Sequence, residues 1–191
     1  MELNLRVIIS IIGCIKMTNK IKEMIETGFI VEDHTAKNLT FKHLKKARMN
    51  LITMSLLSEF NSNKKVRDIL KIPYDYDSDE WIVICGYYAM YSAALALLAN
   101  IGFKSKNHSA TIQVLEEYFV KKSLLDKSSF LSLKNAILQK EELEKLSEVK
   151  HKKEIAQYSV TKKTTKEIAS KIKQDAYSFT GKVELIIKQL K

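Results

Sequence analysis

The chain has 191 residues, and 32 basic against 22 acidic side chains give it a formal net charge of +10. This length fits one domain with a substantial core, and 46% hydrophobic with 28% charged residues is typical of neither a disordered chain nor an obvious membrane protein. Five glycines and one proline are too few for the closely spaced turns of a β-protein, so the composition predicts a mostly helical protein.

Several common chemistries have no pattern in this sequence. The five glycines stand alone, so no glycine-rich phosphate loop can be written. Cys14 and Cys85 have no cysteine or histidine at zinc-site spacing, and two unpaired cysteines are typical of a reducing cytosol. The histidines are scattered along the chain: His34, His43, His108 and His151. We therefore expect a cytoplasmic protein with no metal and no cofactor.

Two apolar stretches resemble membrane signals. Residues 7–15 are too short to span a bilayer, and no small-residue cleavage site follows them. Residues 81–101 carry no charge over a membrane-like length, but tyrosines and alanines fill their centre, and tyrosine belongs at membrane interfaces. A helix that is apolar all round is also typical of the middle of a helical bundle. The pattern favours a buried central helix and no membrane association.

Before this central helix, the chain predicts three others. Thr18 is an N-cap, and Gly28 follows the last turn of a short helix. Another short helix over 66–72 ends before Pro73, and the acidic loop 74–80 suits the N-terminus of the central helix. Between them, a long helix over about 35–60 has one apolar face: Phe41, Leu44, Ala47, Leu51 and Met54.

After the central helix, which Gly102 ends, the chain predicts further helices. Asn107 caps a helix whose inward face is His108, Ile112, Leu115 and Phe119. Residues 126–149 form one helix or two, with Leu133, Ile137, Leu143 and Leu146 inward. Residues 164–190 carry the clearest stripe: Ile168, Ile172, Ala176, Phe179, Val183, Ile186 and Leu190. The predicted class is all-α, an up-and-down four-helix bundle with additional short helices.

The segment around the central helix resembles the HEPN domain family of small helical bundles. The shared pattern is the Ala-rich helix with YYAMY at 87–91, then Gly102, a basic loop with Lys104 and Lys106, and His108 opening the next helix. The stretch HKKEIAQYSV at 151–160, which contains Tyr158, looks like the basic-residue helix of the family. The resemblance covers about 17–191 as a single domain.

Residues 1–16 then form an uncertain N-terminal extension. The resemblance implies a start near Met17, so either Met1 or Met17 is the native first residue. An intact mass of the native protein that includes Met1 would contradict a start at Met17.

The resemblance implies a ribonuclease or a relative that has lost the activity. Catalytic HEPN domains place an arginine four to six residues before a histidine, because histidine moves a proton while arginine stabilises phosphate charge. The three arginines, Arg6, Arg48 and Arg67, have no histidine at that spacing. A lysine such as Lys104 or Lys106 would supply a point charge without the bidentate fork. We therefore expect a non-catalytic or weakly catalytic protein.

The same resemblance implies partners and contact residues. Proteins of this kind look like interaction subunits that form homodimers and pair with minimal nucleotidyltransferases in toxin–antitoxin-like systems, in association with nucleotide or RNA. The alternative is a metal-independent endoribonuclease toxin with an atypical site in which His108 and Lys104 are catalytic. The candidate ligand-binding residues are Tyr87, Tyr91, Lys106 and Tyr158.

Each of these residues also has a structural interpretation. His108 on an inward face can be a buried group bonded to a tyrosine, and Tyr87, Tyr88 and Tyr91 can be core side chains with satisfied hydroxyls. The basic stretches 37–71 and 162–191 are either solvated helix faces or a surface that attracts RNA or an acidic partner. A weak, salt-sensitive affinity for polyanions is the most that the charge alone predicts.

Overall fold

The protein is mostly helical, as predicted. The computed structural model describes the backbone of residues 18–150 and 158–190 and the side chains of 18–145 and 166–190. In chain order the elements are α1 (Asn19–Glu26), β1 (Ile30–Glu32), a 3-10 helix (His34–Leu39), α2 (Thr40–Ser62), α3 (Lys64–Leu70), α4 (Asp79–Asn100), β2 (Phe103–Ser105), α5 (His108–Leu115), a π-helical turn (Glu116–Val120), α6 (Lys127–Lys150) and α7 (Tyr158–Gln189).

Helix α4 is the element on which the other long helices pack. It contacts α2 and α7 most extensively and α6 next. Within the described residues it is the one helix long and apolar enough to cross a membrane, yet 78% of its apolar window is buried inside the protein. The prediction of a buried central helix is confirmed.

A two-stranded antiparallel ribbon, β1 with β2, is absent from the sequence prediction. Val31 lies opposite Lys104, and two flanking bonds extend the ladder, from Asp33 N to the Gly102 carbonyl at 2.8 Å and from Lys106 N to the Phe29 carbonyl at 3.0 Å. Strands of three residues are too short to show an alternating pattern. The ribbon matters because it sets the direction of the loop that leads into α5.

Helix α2 buries a stripe that differs from the predicted one at its first position. Thr40 is 2% exposed and belongs to the stripe, whereas Phe41 is 56% exposed, so its predicted burial is wrong. The stripe continues through Leu44, Ala47, Leu51 and Met54. Steps of four and three from Thr40 stay on the face toward α4, and Phe41 is rotated off that face by one residue.

Residues 127–150 form one continuous helix, which resolves the alternative left open by the sequence. Asp126 caps this helix by accepting a bond from Ser129 N at 2.9 Å. The same carboxylate also accepts a bond from Lys182 Nζ on α7 at 2.7 Å. Leu133 and Ile137 are buried, and Leu143 packs against the core. The predicted inward side chain of Leu146 lies outside the described side chains.

Helix α7 starts six residues before the predicted boundary, at Tyr158. Most of its predicted stripe is buried, as Ile172, Phe179 and Val183 illustrate. Gly181 lies inside the helix at an exposed position, and a Cβ built there meets nothing within 4 Å.

Gly86 in α4 and Gly181 in α7 provide a matched test of the helix packing. A Cβ at Gly86 would collide with Ile172 Cγ2 and come within 3.2 Å of Met54 Sδ. Replacing either glycine by alanine gains about 1 kcal/mol of helix propensity, and overpacking costs about 1–3 kcal/mol. We expect Gly181→Ala to stabilise the protein by about 1 kcal/mol and Gly86→Ala to be about 1–3 kcal/mol less stable than Gly181→Ala. Urea unfolding measures both, and equal stabilisation by the two variants would contradict the packing of α4 against α7.

Candidate functional site

A tyrosine–histidine corner forms where α4 meets the start of α5. The Asn107 side chain accepts a bond from Ala110 N at 2.8 Å, so α5 begins at His108. His108 Nε2 lies 2.7 Å from the Tyr87 hydroxyl, and the imidazole ring lies edge-on to the Tyr91 ring, with 4.8 Å between the ring centroids. Because Tyr87 and Tyr91 are four residues apart on one helix, their rings stack at 5.7 Å. The structure thus brings together three of the predicted site residues.

Burial decides how protons are placed in this corner. Tyr87 is 2% exposed, and desolvation raises the pKa of its phenol, with further contributions from the neighbouring tyrosines and from Glu144 and Glu141. The phenol therefore keeps its proton over the ordinary pH range. When this hydroxyl donates to Nε2, a neutral His108 carries its own proton on Nδ1.

Helix α6 forms the third side of the corner, beside α4 and α5. Glu141 Oε1 lies 3.7 Å from His108 Nδ1, and both side chains are partly exposed, at 43% and 33%. Lys140 Nζ lies 5.7 Å from the centroid of the Tyr87 ring and also bonds Glu144. A carboxylate on the Nδ1 side of the ring can orient the imidazole.

A row of hydroxyls continues from the corner toward the ribbon. The Tyr91 hydroxyl lies 3.2 Å from Thr111 Oγ1, and Thr111 Oγ1 lies 2.6 Å from Ser105 Oγ. Sequence reasoning missed Ser105 and Thr111, as well as Lys140 and Glu141 on α6. The spacing of three residues between His108 and Thr111 was an available signal, since it places both on one face of α5.

The contacts that the structure gives for the two predicted lysines are with residues other than His108. Lys104 Nζ bonds Asp33 Oδ2 at 2.6 Å, and this bond lowers the pKa of Asp33 to about 2. Successive residues of a strand point to opposite faces, so Lys104 lies on the other face of β2 from Ser105. Lys106 is exposed, with its Nζ close to Gly28. Tyr158 begins α7, but its side chain lies outside those that the structure describes.

Among the described residues, no cluster of three histidine, cysteine or carboxylate side chains could hold a metal ion. A groove of about 610 Å³ lies elsewhere, at the N-terminal end of α4, with Asp79, Tyr74 and Lys173 among its lining residues. None of the predicted site residues lines that groove. The groove and the corner are therefore separate places on the protein.

No protein-family model, curated protein or solved structure matches the chain. The resemblance to the HEPN family therefore stays an expectation.

The burial of Tyr87 predicts a specific dependence of stability on alkaline pH. The folded-state pKa of Tyr87 lies above its ordinary value of 10.0, so above that pH the unfolded chain loses this proton while the folded chain keeps it. The free energy that Tyr87 contributes to the stability of the folded protein must then fall as the pH rises past 10.0. Tyr87→Phe should cost about 1 kcal/mol at neutral pH and make the alkaline decline shallower.

Urea unfolding below and above the ordinary phenol pKa tests this expectation. Tyr74→Phe is the matched control because Tyr74 is 100% exposed. Equal alkaline slopes in wild type and Tyr87→Phe would contradict the raised pKa.

Proposed function

We propose that this protein is a HEPN-like up-and-down four-helix bundle that acts as a nucleotide- or RNA-associated interaction subunit with little or no catalysis. In this proposal α2, α4, α6 and α7 are the four main helices and α1, α3 and α5 the additional short ones. Its partner is a minimal nucleotidyltransferase in a toxin–antitoxin-like pair, and its compartment is the cytoplasm. The family assignment rests on the motif from Tyr87 to His108, and the binding role rests on the corner.

The observation that carries the proposal is the pairing of Lys104 with Asp33. Cleavage of RNA by this chemistry needs a proton-transfer group and a cation converging on one phosphate. Here Lys104 bonds Asp33, and Lys140, the cation beside the Tyr87 ring, bonds Glu144. The side chain beside His108 Nδ1 is a carboxylate, Glu141. Such a corner is better suited to contact a base or a ribose than to stabilise a phosphorane.

The exposed ring beside the corner is the expected contact for a base. Tyr88 is 39% exposed, and its centroid lies 4.7 Å from that of the buried Tyr87. Stacking of a base on an aromatic side chain contributes about 1–3 kcal/mol.

We expect Tyr88→Ala to weaken binding of single-stranded RNA by about 1 kcal/mol or more, which is about fivefold or more. Tyr74→Ala, which removes a wholly exposed ring from the loop before α4, should bind as wild type does. Fluorescence anisotropy of labelled RNA at several salt concentrations gives the affinity and its salt slope. Equal loss in both variants, or no binding by wild type, would contradict this site.

A second function, metal-independent RNA cleavage, is favoured by one observation. Glu141, His108 and Tyr87 lie in a row, with a carboxylate beside Nδ1 and a phenol on Nε2. A partly exposed imidazole in such a row is equipped to accept a proton from a 2′-hydroxyl once the Tyr87 bond opens.

Cleavage of a mixed RNA pool in EDTA separates the two functions. Our proposal expects no cleavage by wild type, by His108→Ala or by the control His34→Ala, which alters an exposed histidine at the start of the 3-10 helix. Cleavage by wild type and His34→Ala that is lost in His108→Ala would establish the nuclease instead. Activity that survives in His108→Ala would exclude His108 as its catalytic residue.

A further inference from the structure

The groove at the N-terminal end of α4 has the size and lining of a small-molecule site. Its volume of about 610 Å³ lies in the usual range for such sites, and its lining comes from α2, the acidic loop 74–80, α4 and α7. Ile82 and Ala169 are buried lining residues and give the groove an apolar base, while the rings of Tyr74 and Tyr76 are exposed lining residues. The groove therefore offers apolar and aromatic contacts to a large side chain.

Asp79 is a buried carboxylate in this groove. It is 9% exposed, and the Asn61 amide donates a bond to its Oδ1 at 2.8 Å. A carboxylate has about four acceptor positions, and this bond fills one of them. Burial raises the pKa of Asp79, and the like charge of Asp77 adds to the rise, whereas Asn61 and Lys166 oppose it. An ammonium group in contact with Asp79 would offset the cost of burying its charge.

Two other charged side chains of the groove are used by the fold itself. Asp77 Oδ1 accepts a bond from Asp79 N at 2.9 Å, so the first turn of α4 already has a cap. The Arg67 guanidinium donates bonds to the carbonyls of Pro73 and Tyr74 at 2.6 and 3.0 Å. These contacts hold the acidic loop against α3, so this wall of the groove is preformed.

Lys173, on α7, is a cation of the groove that has no carboxylate partner among the described residues. Its Nζ donates a bond to the Ser58 hydroxyl at 2.7 Å, whereas the nearby Lys171 forms an ion pair with Asp175 at 2.8 Å. The Lys173 side chain is partly buried. Because an ammonium group has three donors, one neutral hydroxyl leaves Lys173 able to bind an anion.

The Asp79 carboxylate and the Lys173 ammonium group occupy neighbouring positions without forming an ion pair. Ser58 bonds Lys173 and Asn61 bonds Asp79, and all four residues line the groove. Ser58 and Asn61 are three residues apart on α2, a spacing that puts their Cβ atoms about 5–6 Å apart. A lone anion there would be repelled by Asp79, and a lone cation by Lys173. A small molecule that carries both an ammonium and a carboxylate group is complementary to both.

We propose that the groove binds a free aromatic α-amino acid, whose ammonium group contacts Asp79 and whose carboxylate contacts Lys173 and the Ser58 hydroxyl. The aromatic side chain of the ligand packs on the apolar base and against the Tyr74 ring. The proposal goes beyond the proposed function, because the groove shares no residue with the tyrosine–histidine corner and the ligand is neither nucleotide nor RNA.

Calorimetric titration of the full-length chain with three matched ligands tests the need for both charges. L-phenylalanine carries both charged groups, phenethylamine lacks the carboxylate, and 3-phenylpropionate lacks the ammonium group. We expect L-phenylalanine to bind about tenfold or more tightly than either analogue, because each analogue loses one charge-assisted hydrogen-bonding group. No binding of L-phenylalanine at millimolar concentrations, or equal affinity for either analogue, would overturn the proposal.

Two variants assign the charged groups of the ligand to residues. Lys173→Met should bind L-phenylalanine about tenfold more weakly and phenethylamine as wild type does, because only the carboxylate contact is lost. Asp79→Asn should weaken binding of L-phenylalanine and leave that of 3-phenylpropionate unchanged. Lys188→Met, at an exposed lysine near the other end of α7, is the matched control and should bind L-phenylalanine as wild type does. Equal losses in Lys173→Met and Lys188→Met would contradict the assignment.

The corner variant Tyr88→Ala separates this site from the proposed function. It should bind L-phenylalanine as wild type does even where its affinity for RNA falls. Loss of amino-acid binding in Tyr88→Ala would place the ligand at the corner and overturn the proposal. An unchanged circular-dichroism spectrum shows that each variant is folded, and Lys173→Met tests the groove even if the buried Asp79→Asn change prevents folding.

Discussion

The structure depends on one constraint, the need to cover a helix that is apolar on every side. Between Trp81 and Ile101 the chain has no charged residue, so α4 cannot present any long face to water without loss of hydrophobic free energy. The packing of α2, α7 and α6 against it satisfies that need. The packing is close at Gly86, because Ile172 and Met54 occupy the space that a Cβ would need there.

The same constraint produces the candidate site. Tyrosines inside α4 bring hydroxyl groups into the core, and a buried hydroxyl without a partner costs about 1–3 kcal/mol. Tyr87 finds His108, and Tyr91 finds Thr111. The start of α5 is therefore fixed against α4 by polar contacts, and His108 stays partly exposed because it lies at the first residue of that helix.

Local signals in the sequence predicted much of this fold. Thr18 and Gly28 bracket α1, with Gly28 at φ +72°, although the Thr18 side chain makes no capping bond. Asn107 starts α5 by accepting a backbone bond. The pairing of His108 with a tyrosine of the central helix was one of two interpretations that the sequence allowed. These successes share a cause, since caps and helical spacing are properties of neighbouring residues.

What the sequence could not predict depends on contacts between distant residues. Lys104 and Asp33 are 71 positions apart, and they meet only because the ribbon forms. Glu141 reaches His108 only because α6 packs beside α4, which no spacing along the chain reveals. The sequence therefore identified the histidine and its tyrosine but gave no sign of the carboxylate beside the histidine ring.

Helix α2 shows why pattern reading identified one face and missed another. Its apolar residues lie on two sides, one toward α4 and one outward, and a search for a single amphipathic face finds only the first. An outward stripe remains exposed when no element of its own chain can reach it. Such a stripe either binds a partner or lowers the solubility of the protein.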